Sequence, residues 1–271
     1  MIGRSLWRVV TLACGAGLLS GCISISSGGA GPTFRRVDFE GSDNNVFQPT
    51  MRASFLVADS APLPGQFANE TGETRREGRK YADRGWRLSI DGELAYGRGN
   101  FDQTLDSSGG VTDQLQLADI TYNGPSEVRG EVRLTTASIQ AHGQGFVNPH
   151  LAFDLMAGLA LTDLHAQTSS AGVKDRAHRT AFGPQLGVGI SVYPVHYARI
   201  YGLVSYHLGA HAGDETELQR YEAGIEGTVL PGVALFGGWR LWRYRADRGG
   251  SFHTDVDVDL MGPTLGVLFS F

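Results

Sequence analysis

Cysteine is nearly absent from this 271-residue sequence, which contains only Cys14 and Cys22. Charge is also scarce: Asp, Glu, Lys and Arg make up 19% of the residues. They form no basic cluster that would favour nucleic-acid binding. Long apolar runs are missing, and the mean hydropathy of −0.14 is too low for a bundle of membrane helices. Glycine, in contrast, is abundant, with 38 residues. Together these features indicate a chain rich in β-strands.

The first 22 residues have the organisation of a bacterial secretion signal, with two arginines before an apolar run too short to span a bilayer. The run ends in Leu19, Ser20, Gly21 and Cys22, which resembles the lipobox of bacterial lipoproteins. This pattern predicts a signal peptide over residues 1–21 and acylation, such as palmitate, on Cys22. The alternative is an ordinary signal peptide that happens to contain a cysteine. After acylation the mature chain is expected to offer no disulfide, thiolate nucleophile or cysteine-bound metal.

Residues 22–84 differ in composition from the rest of the chain, with turn-forming stretches at 41–45 and 62–65 and a mixed charge run at 69–80. They are predicted to form a lipid-anchored periplasmic leader. Residues 52–57 fit one short strand, whose partner is left open.

From Trp86 onward, apolar and polar residues alternate with the period of a β-strand in eight successive segments. The apolar faces carry no charge over a membrane-length stretch, aromatic residues lie near the segment ends, and long polar connections alternate with short ones, as in transmembrane barrels. The pattern predicts an all-β, eight-stranded antiparallel up-and-down barrel over 85–271, with the leader and Phe271 both in the periplasm. The alternative is a soluble lipocalin-like barrel tethered by lipid, with its apolar face inward.

The C-terminal residues Thr264, Gly266, Phe269 and Phe271 resemble the assembly signal that ends bacterial outer-membrane barrels. Residues 86–271 resemble the small eight-stranded outer-membrane proteins of the OmpA/OmpX type. This resemblance implies location in the outer membrane of a Gram-negative bacterium, contact with its lipid and lipopolysaccharide, and recognition by the barrel-assembly machinery. Ile23, which follows the acylated cysteine, fits sorting to the same membrane.

The polar faces of the eight segments are predicted to line the barrel lumen with nearly balanced charge. Because buried charges must be paired, a salt-bridged and filled interior is expected, and a narrow passive channel is the alternative. The predicted lumen charge network consists of Arg87, Asp91, Glu93, Arg129, Glu131, Arg133, Asp154, Arg220, Glu222, Glu226 and Arg240.

Two groups of residues suggest metal binding at the outer rim. His165, His178, His211 and His253 offer imidazole ligands for a transition metal, although four histidines on separate loops usually act independently. The alternating aspartates at 255, 257 and 259 project outward above the bilayer, unless the strand phase flips near residues 261–263. Outward carboxylates would either hold Ca²⁺ or Mg²⁺ among lipopolysaccharide head groups or form a solvated strand extension. No metal or cofactor is predicted.

Some small outer-membrane barrels hydrolyse lipid A with serine and histidine, and Ser205, His207 and Glu222 invite this comparison. Ser205 and His207 share one face of a filled wall, however, so no catalytic residue is predicted. The expected role is non-enzymatic: envelope integrity, surface interaction or scaffolding. Loop 99–126, which carries several apolar residues, or leader 23–84 is predicted to contact a protein partner. Oligomeric state and the identity of any partner are left open.

Overall fold

A computed structural model describes residues 33–60, 85–211, 214–247 and 252–271, so Leu19, Ser20, Gly21 and Cys22 lie outside the described residues. No helix in this part of the chain is long and apolar enough to cross a membrane. The prediction of an all-β chain is confirmed. The strands are β1 (Thr33–Arg36), β2 (Phe39–Asp43), β3 (Gln48–Asp59), β4 (Gly85–Leu105), β5 (Ser107–Ser108), β6 (Val111–Gln116), β7 (Thr121–Asn123), β8 (Ser126–Asn148), β9 (Leu151–Ser170), β10 (Val173–Val195), β11 (Ala198–His211), β12 (Asp214–Leu230), β13 (Val233–Ala246) and β14 (Val256–Ser270).

Ten of these strands form one sheet, in the order β13-β12-β11-β10-β9-β8-β4-β3-β14-β2. Strand β13 also pairs with β14, so the nine strands from β3 round to β14 close into a ring. Neighbours in the ring are antiparallel except at one seam, where β3 runs parallel to β14. The closure leaves none of the nine strands as an open edge.

The prediction of an eight-stranded barrel is therefore wrong, and with it the resemblance to the eight-stranded OmpA/OmpX type. The ninth strand is β3, which lies in the segment assigned to the leader. Gln48 of β3 accepts a hydrogen bond of 2.9 Å from Thr264 of β14, although the two residues are 216 positions apart in the chain. The sequence indicates a short strand at 52–57 but contains no local signal for so distant a parallel partner.

An odd number of strands places the two ends of the described chain at opposite ends of the ring. Strands β1 and β2 lie near the start of β14, whereas Phe271 follows its end. We call the first of these the capped end, because β1, β5, β6 and β7 form a small second sheet there. The other is the turn end, with two-residue turns at 149–150, 196–197 and 231–232. The expectation that the leader and Phe271 lie on one side depended on an even strand number and does not hold for residue 33.

The interior of the capped end is a hydrophobic core. Leu105, Leu115 and Leu117 are almost wholly buried there, with Trp242 from β13 and Leu260 from β14. Because β5–β7 and their connections fold over the ring, much of the apolar surface of loop 99–126 is buried within this core. The loop therefore closes one end of the ring.

Strands β2 and β3 both pair with β14. Between them, residues 44–47 lie opposite residues 261–263 of β14. At this break the Val46 N–H donates a hydrogen bond to the Met261 carbonyl at 3.1 Å. A Cβ added to Gly262 would lie 2.2 Å from the Val46 carbonyl oxygen, so this close approach requires glycine. Four residues, 44–47, thus lie opposite three residues of β14, so the extra residue is in the segment between β2 and β3. Strand β14 itself keeps its alternation unbroken from Val256 to Pro263.

Candidate functional site

Ion pairs that join strands from different parts of the ring identify the residues that point inward. Glu93 on β4 bonds with Arg220 on β12, and Arg52 on β3 bonds with Glu222 on β12 at 2.7 Å. Neither pair belongs to neighbouring strands. Their side chains therefore meet across the interior, and alternate residues on every ring strand face outward.

The inward face changes polarity along the ring axis. Toward the capped end it is apolar, as the core shows, whereas toward the turn end it is polar and charged. On β8, for example, Val132 and Leu134 are buried near the capped end, and Gln140, His142 and Gln144 are buried near the turn end. A single unbroken alternation therefore carries apolar and then polar residues to the same interior.

The outward face shows the opposite change. Toward the turn end, large apolar side chains are exposed on all nine ring strands; Leu155 is 64% exposed and Leu186 is 61% exposed. Over the height of the ring that these apolar side chains occupy, no outward position of the described ring strands carries Asp, Glu, Lys or Arg. We call this set the apolar belt. It comprises Met51, Phe55, Ile90, Leu94, Tyr96, Ile139, Phe153, Leu155, Leu159, Leu161, Phe182, Leu186, Val188, Ile190, Val192, Ile200, Val204, Leu208, Tyr221, Ile225, Val229, Leu235, Trp239, Leu265 and Phe269.

The height of the apolar belt follows from strand geometry. On β10 it extends from Phe182 to Val192, or ~34 Å along the strand at about 3.4 Å per residue. A strand tilt of about 40° reduces this length to ~26 Å along the ring axis. That height is close to the apolar band of about 25 Å that outer-membrane barrels present to lipid. Arg98, Arg133 and Arg243 face outward directly above the belt, toward the capped end.

Five charged residues, which we call the ion network, cross the polar half of the interior: Arg52, Glu93, Arg220, Glu222 and Arg240. Arg52 contacts Glu93 and Glu222, each at 2.7 Å. Arg240 lies 2.7 Å from Glu222, and both side chains are wholly buried. Three guanidinium groups thus surround two carboxylates, and every member has a partner of opposite charge.

Neutral donors and acceptors complete the ion network. The Tyr201 hydroxyl donates to Glu222 Oε1 at 2.6 Å, and Arg240 Nη1 donates to Thr50 Oγ1 at 2.9 Å. The members come from β3, which is one strand of the parallel seam, and from β4, β11, β12 and β13. Removal of Glu93 or Glu222 would leave buried guanidinium groups without a counter-charge, so the network links these five strands through the interior.

A second polar cluster lies in the same half of the interior, around His142. Its Nδ1 atom is 2.7 Å from Asp91 Oδ2, and its Nε2 atom is 2.9 Å from Asp154 Oδ1. Asp154 also accepts hydrogen bonds from Ser191 at 2.6 Å and from Gln144 at 2.7 Å. This cluster joins four successive strands of the ring, β4, β8, β9 and β10.

The structure places eight members of the predicted lumen charge network on inward positions and separates three from them. The inward members are Arg87, Asp91, Glu93, Asp154, Arg220, Glu222, Glu226 and Arg240. Arg129, Glu131 and Arg133 face outward instead, beyond the belt. The alternation of Val128 to Leu134 resembles a lipid-facing strand, but these residues form part of the capped-end core. Alternation alone does not distinguish these two environments.

The three outward residues take part in surface pairing. Arg133 Nε and Arg98 Nη2 donate hydrogen bonds to Glu131 at 2.6 and 2.8 Å. Partial burial of Glu131 raises its carboxyl pKa, but these hydrogen bonds outweigh that effect and hold the pKa below its ordinary value. Glu131 therefore keeps its charge at this level of the wall.

Sequence reasoning missed Arg52, His142 and Arg199 as interior charges. Arg52 belongs to the segment assigned to the leader, and His142 to a segment read as a connection. Continuing the β8 alternation beyond Leu134 places His142 inward, which is the one sequence signal that would have identified it. Arg199 lies 3.8 Å from Glu226 near the turn end.

The hydrolase candidates do not form a catalytic arrangement. Ser205 and His207 are inward and buried, and Glu222 is engaged by arginines. Among the described residues, neither ring nitrogen of His207 has a hydrogen-bond partner of standard geometry. A histidine that activates a serine must be within hydrogen-bond reach of its hydroxyl.

The predicted terminal signal completes the seam at the turn end. Thr264 is buried and donates to the Gln48 carbonyl, and a Cβ on Gly266 would lie 2.1 Å from the Thr50 carbonyl oxygen. The Phe269 side chain belongs to the apolar belt. The Phe271 ring stacks on Phe55, with centroids 4.9 Å apart.

The aspartates of β14 project outward above the apolar belt, since the strand phase does not flip. Asp257 lies 2.9 Å from Arg245, and Asp259 lies 3.2 Å from Arg243. The hydrogen bond to Asp259 raises the pKa of Arg243 above its ordinary value. These carboxylates are thus paired with arginines of β13.

Of the four rim histidines, the structure brings two together. His165 on β9 and His178 on β10 are directly opposite in the register, and their ring centroids are 4.6 Å apart. Asp163 joins them to form the one group of three possible metal ligands among the described residues. His253 lies outside this group, and the His211 side chain lies outside the described residues.

Neither a family model nor a curated protein or solved structure matches the chain.

Proposed function

We propose that this protein is an outer-membrane β-barrel lipoprotein of a Gram-negative bacterium, with a non-enzymatic role as a closed envelope anchor that carries a folded cap. The apolar belt is the observation that carries this proposal. Soluble proteins rarely expose continuous apolar surface of more than a few hundred Å². In a soluble lipocalin-like ring these side chains would point inward, around a ligand.

The filled interior supports an anchor over a channel. Arg240 and Glu222, wholly buried, lie in the polar half, and the hydrophobic core fills the capped half. An ion would have to separate these pairs and then cross apolar side chains, which is costly for a charge. The same closure favours a structural or scaffolding role, with the cap as the surface available to partners.

The connections suggest how the ring is oriented. Outer-membrane barrels have short periplasmic turns, and among the described residues three two-residue turns join ring strands at the turn end whereas one, at 171–172, does so at the capped end. On this basis the capped end faces the cell exterior and Phe271 faces the periplasm, where the barrel-assembly machinery would recognise it. Arg98, Arg133 and Arg243 then lie at the level of lipid and lipopolysaccharide head groups, whose phosphates bind guanidinium well. In this orientation residue 33 lies on the external side.

The first test separates an integral ring from one held by lipid alone. Cys22→Ser removes the acylation site, yet the variant is expected to stay in the membrane pellet after a urea wash. Its migration in an SDS gel is expected to change on heating, because a closed barrel that stays folded in SDS at room temperature unfolds when the sample is boiled. The measurement compares the amounts of variant and wild-type protein in the membrane pellet and in the soluble fraction of fractionated cells.

Recovery of Cys22→Ser in the soluble fraction would refute an integral ring. The purified variant also distinguishes an anchor from a channel, since it is expected to give no conductance steps in planar bilayers. Discrete steps would support the narrow channel instead.

A second test determines the orientation. In the Cys22→Ser background, Lys174→Cys adds an exposed thiol at the capped end, and His196→Cys adds one at the turn end. A membrane-impermeant maleimide applied to intact cells is expected to label Lys174→Cys and to leave His196→Cys unlabelled until the envelope is opened. The reverse pattern would show that the capped end faces the periplasm.

A further inference from the structure

The cluster of Asp163, His165 and His178 lies on the outward face, immediately beyond the apolar belt. Leu161 on β9 is part of the belt, and Asp163 and His165 are the next two outward residues on that strand. His178 extends from β10 beside them. All three therefore stand on hydrogen-bonded strands of the ring wall, which fixes their backbones better than loops would.

The possible ligand atoms of the cluster lie close together. His165 Nε2 lies 3.0 Å from one oxygen of Asp163, and His178 Nε2 lies 3.0 Å from the other. One donor atom from each of the three residues lies within 4.8 Å of the other two. Two ligands of a tetrahedral zinc ion, each about 2.1 Å from the metal, are ~3.4 Å apart. Small side-chain movements would thus bring the three donors to ligand distances.

The surroundings of the cluster favour access by an ion from solvent. The imidazoles of His165 and His178 are 55% and 56% exposed, and the Asp163 carboxylate is 27% exposed. Thr180 Oγ1 donates a hydrogen bond to Asp163 Oδ1 at 2.9 Å and lies 3.1 Å from His178 Nε2. This contact orients the carboxylate from outside the ligand set, as outer-shell partners do in metal sites.

We propose that Asp163, His165 and His178 form a binding site for a divalent transition metal, with Zn²⁺ as its natural class of ligand. Two imidazoles and one carboxylate are ligands that suit Zn²⁺, and three protein ligands leave a fourth position for water or an external group. Ca²⁺ and Mg²⁺ prefer sets of oxygen ligands, which this cluster does not supply. The site uses residues that the anchor role does not require.

Titration calorimetry of the purified protein in detergent, with Zn²⁺ alone, tests this proposal. The wild type is expected to bind one equivalent saturably and to show no binding of Ca²⁺ under the same conditions. His165→Ala, His178→Ala and Asp163→Asn are each expected to weaken Zn²⁺ binding at least ~10-fold. His196→Ala, which removes an exposed histidine at the turn end, is expected to leave the affinity unchanged.

Two results would overturn the site: a wild type that binds no Zn²⁺, or a set of three ligand variants that bind it as tightly as the wild type does. Heat-modifiable migration provides the folding control, since the three positions are outward and partly exposed. The measurement is made in detergent, so its outcome does not depend on the membrane or the orientation of the ring.

Discussion

Glu222→Leu is expected to lower the free energy of unfolding by about 3–5 kcal/mol, the cost of breaking a buried ion pair by removing one partner. The Glu222 carboxylate is wholly buried and accepts contacts from Arg52, Arg240 and Tyr201. In the variant, three guanidinium groups share one remaining carboxylate, Glu93. Urea unfolding in detergent micelles, followed by far-UV circular dichroism, measures the change.

Two further variants test whether the loss of stability in Glu222→Leu comes from the missing charge. Glu215→Leu, an exposed position on the same strand, is expected to lie within ~0.5 kcal/mol of the wild type. Arg52→Met combined with Glu222→Leu removes one charge of each sign, so the interior keeps its original balance. The double variant is expected to recover part of the stability lost in Glu222→Leu. A Glu222→Leu variant as stable as the wild type would show that the network does not hold the ring.

The sequence pattern predicts most of the wall but not its closure. Alternation from Trp86 onward marks residues of all the antiparallel ring strands from β4 to β14, because each keeps a period of two. Residues 52–57 of β3 are recognisable as a strand, but the place of β3 in the ring is not, because its parallel partner β14 lies at the other end of the chain. Only the parallel seam makes the strand number nine, and that number places residue 33 and Phe271 at opposite ends.

The inward and outward faces are predictable only where the environment keeps one polarity. Within the belt, the apolar face of each strand is outward and the polar face is inward, so Glu93, Asp154 and Arg220 are placed inward by pattern alone. Beyond the belt the same strands cross a hydrophobic core, and the rule reverses. Strand β8 has 23 residues and passes through both environments, which is why Arg129, Glu131 and Arg133 are misplaced by reading its first half.

The metal cluster shows a different limit of sequence reasoning. His165 and His178 are recognisable as rim histidines, but their common partner Asp163 is not, because the pairing depends on the register between β9 and β10. In that register His165 is opposite His178, and Asp163 is opposite Thr180. A shift by one residue would move every β10 side chain to the other face. The cluster is thus a property of the strand register, which the sequence does not show.

Leu186→Arg is expected to reduce the free energy of folding into lipid vesicles by about 2–4 kcal/mol, the cost of arginine on the lipid face near the bilayer midplane. Leu186 lies in the middle of the belt on β10 and is 61% exposed. In water, an exposed leucine tolerates replacement by arginine within ~0.5 kcal/mol. The variant thus measures directly whether lipid or water covers the belt.

Val173→Arg is the matched control, because Val173 is an exposed apolar residue on the same strand at the capped end, beyond the belt. It is expected to fold as the wild type does, and Leu186→Ala is expected to show the smaller effect of losing apolar surface without adding charge. Urea titration of folding into vesicles measures all three variants. Equal stability of Leu186→Arg and Val173→Arg would place the belt in water and contradict the membrane anchor. A loss confined to Leu186→Arg would instead require that surrounding lipid excludes the added charge.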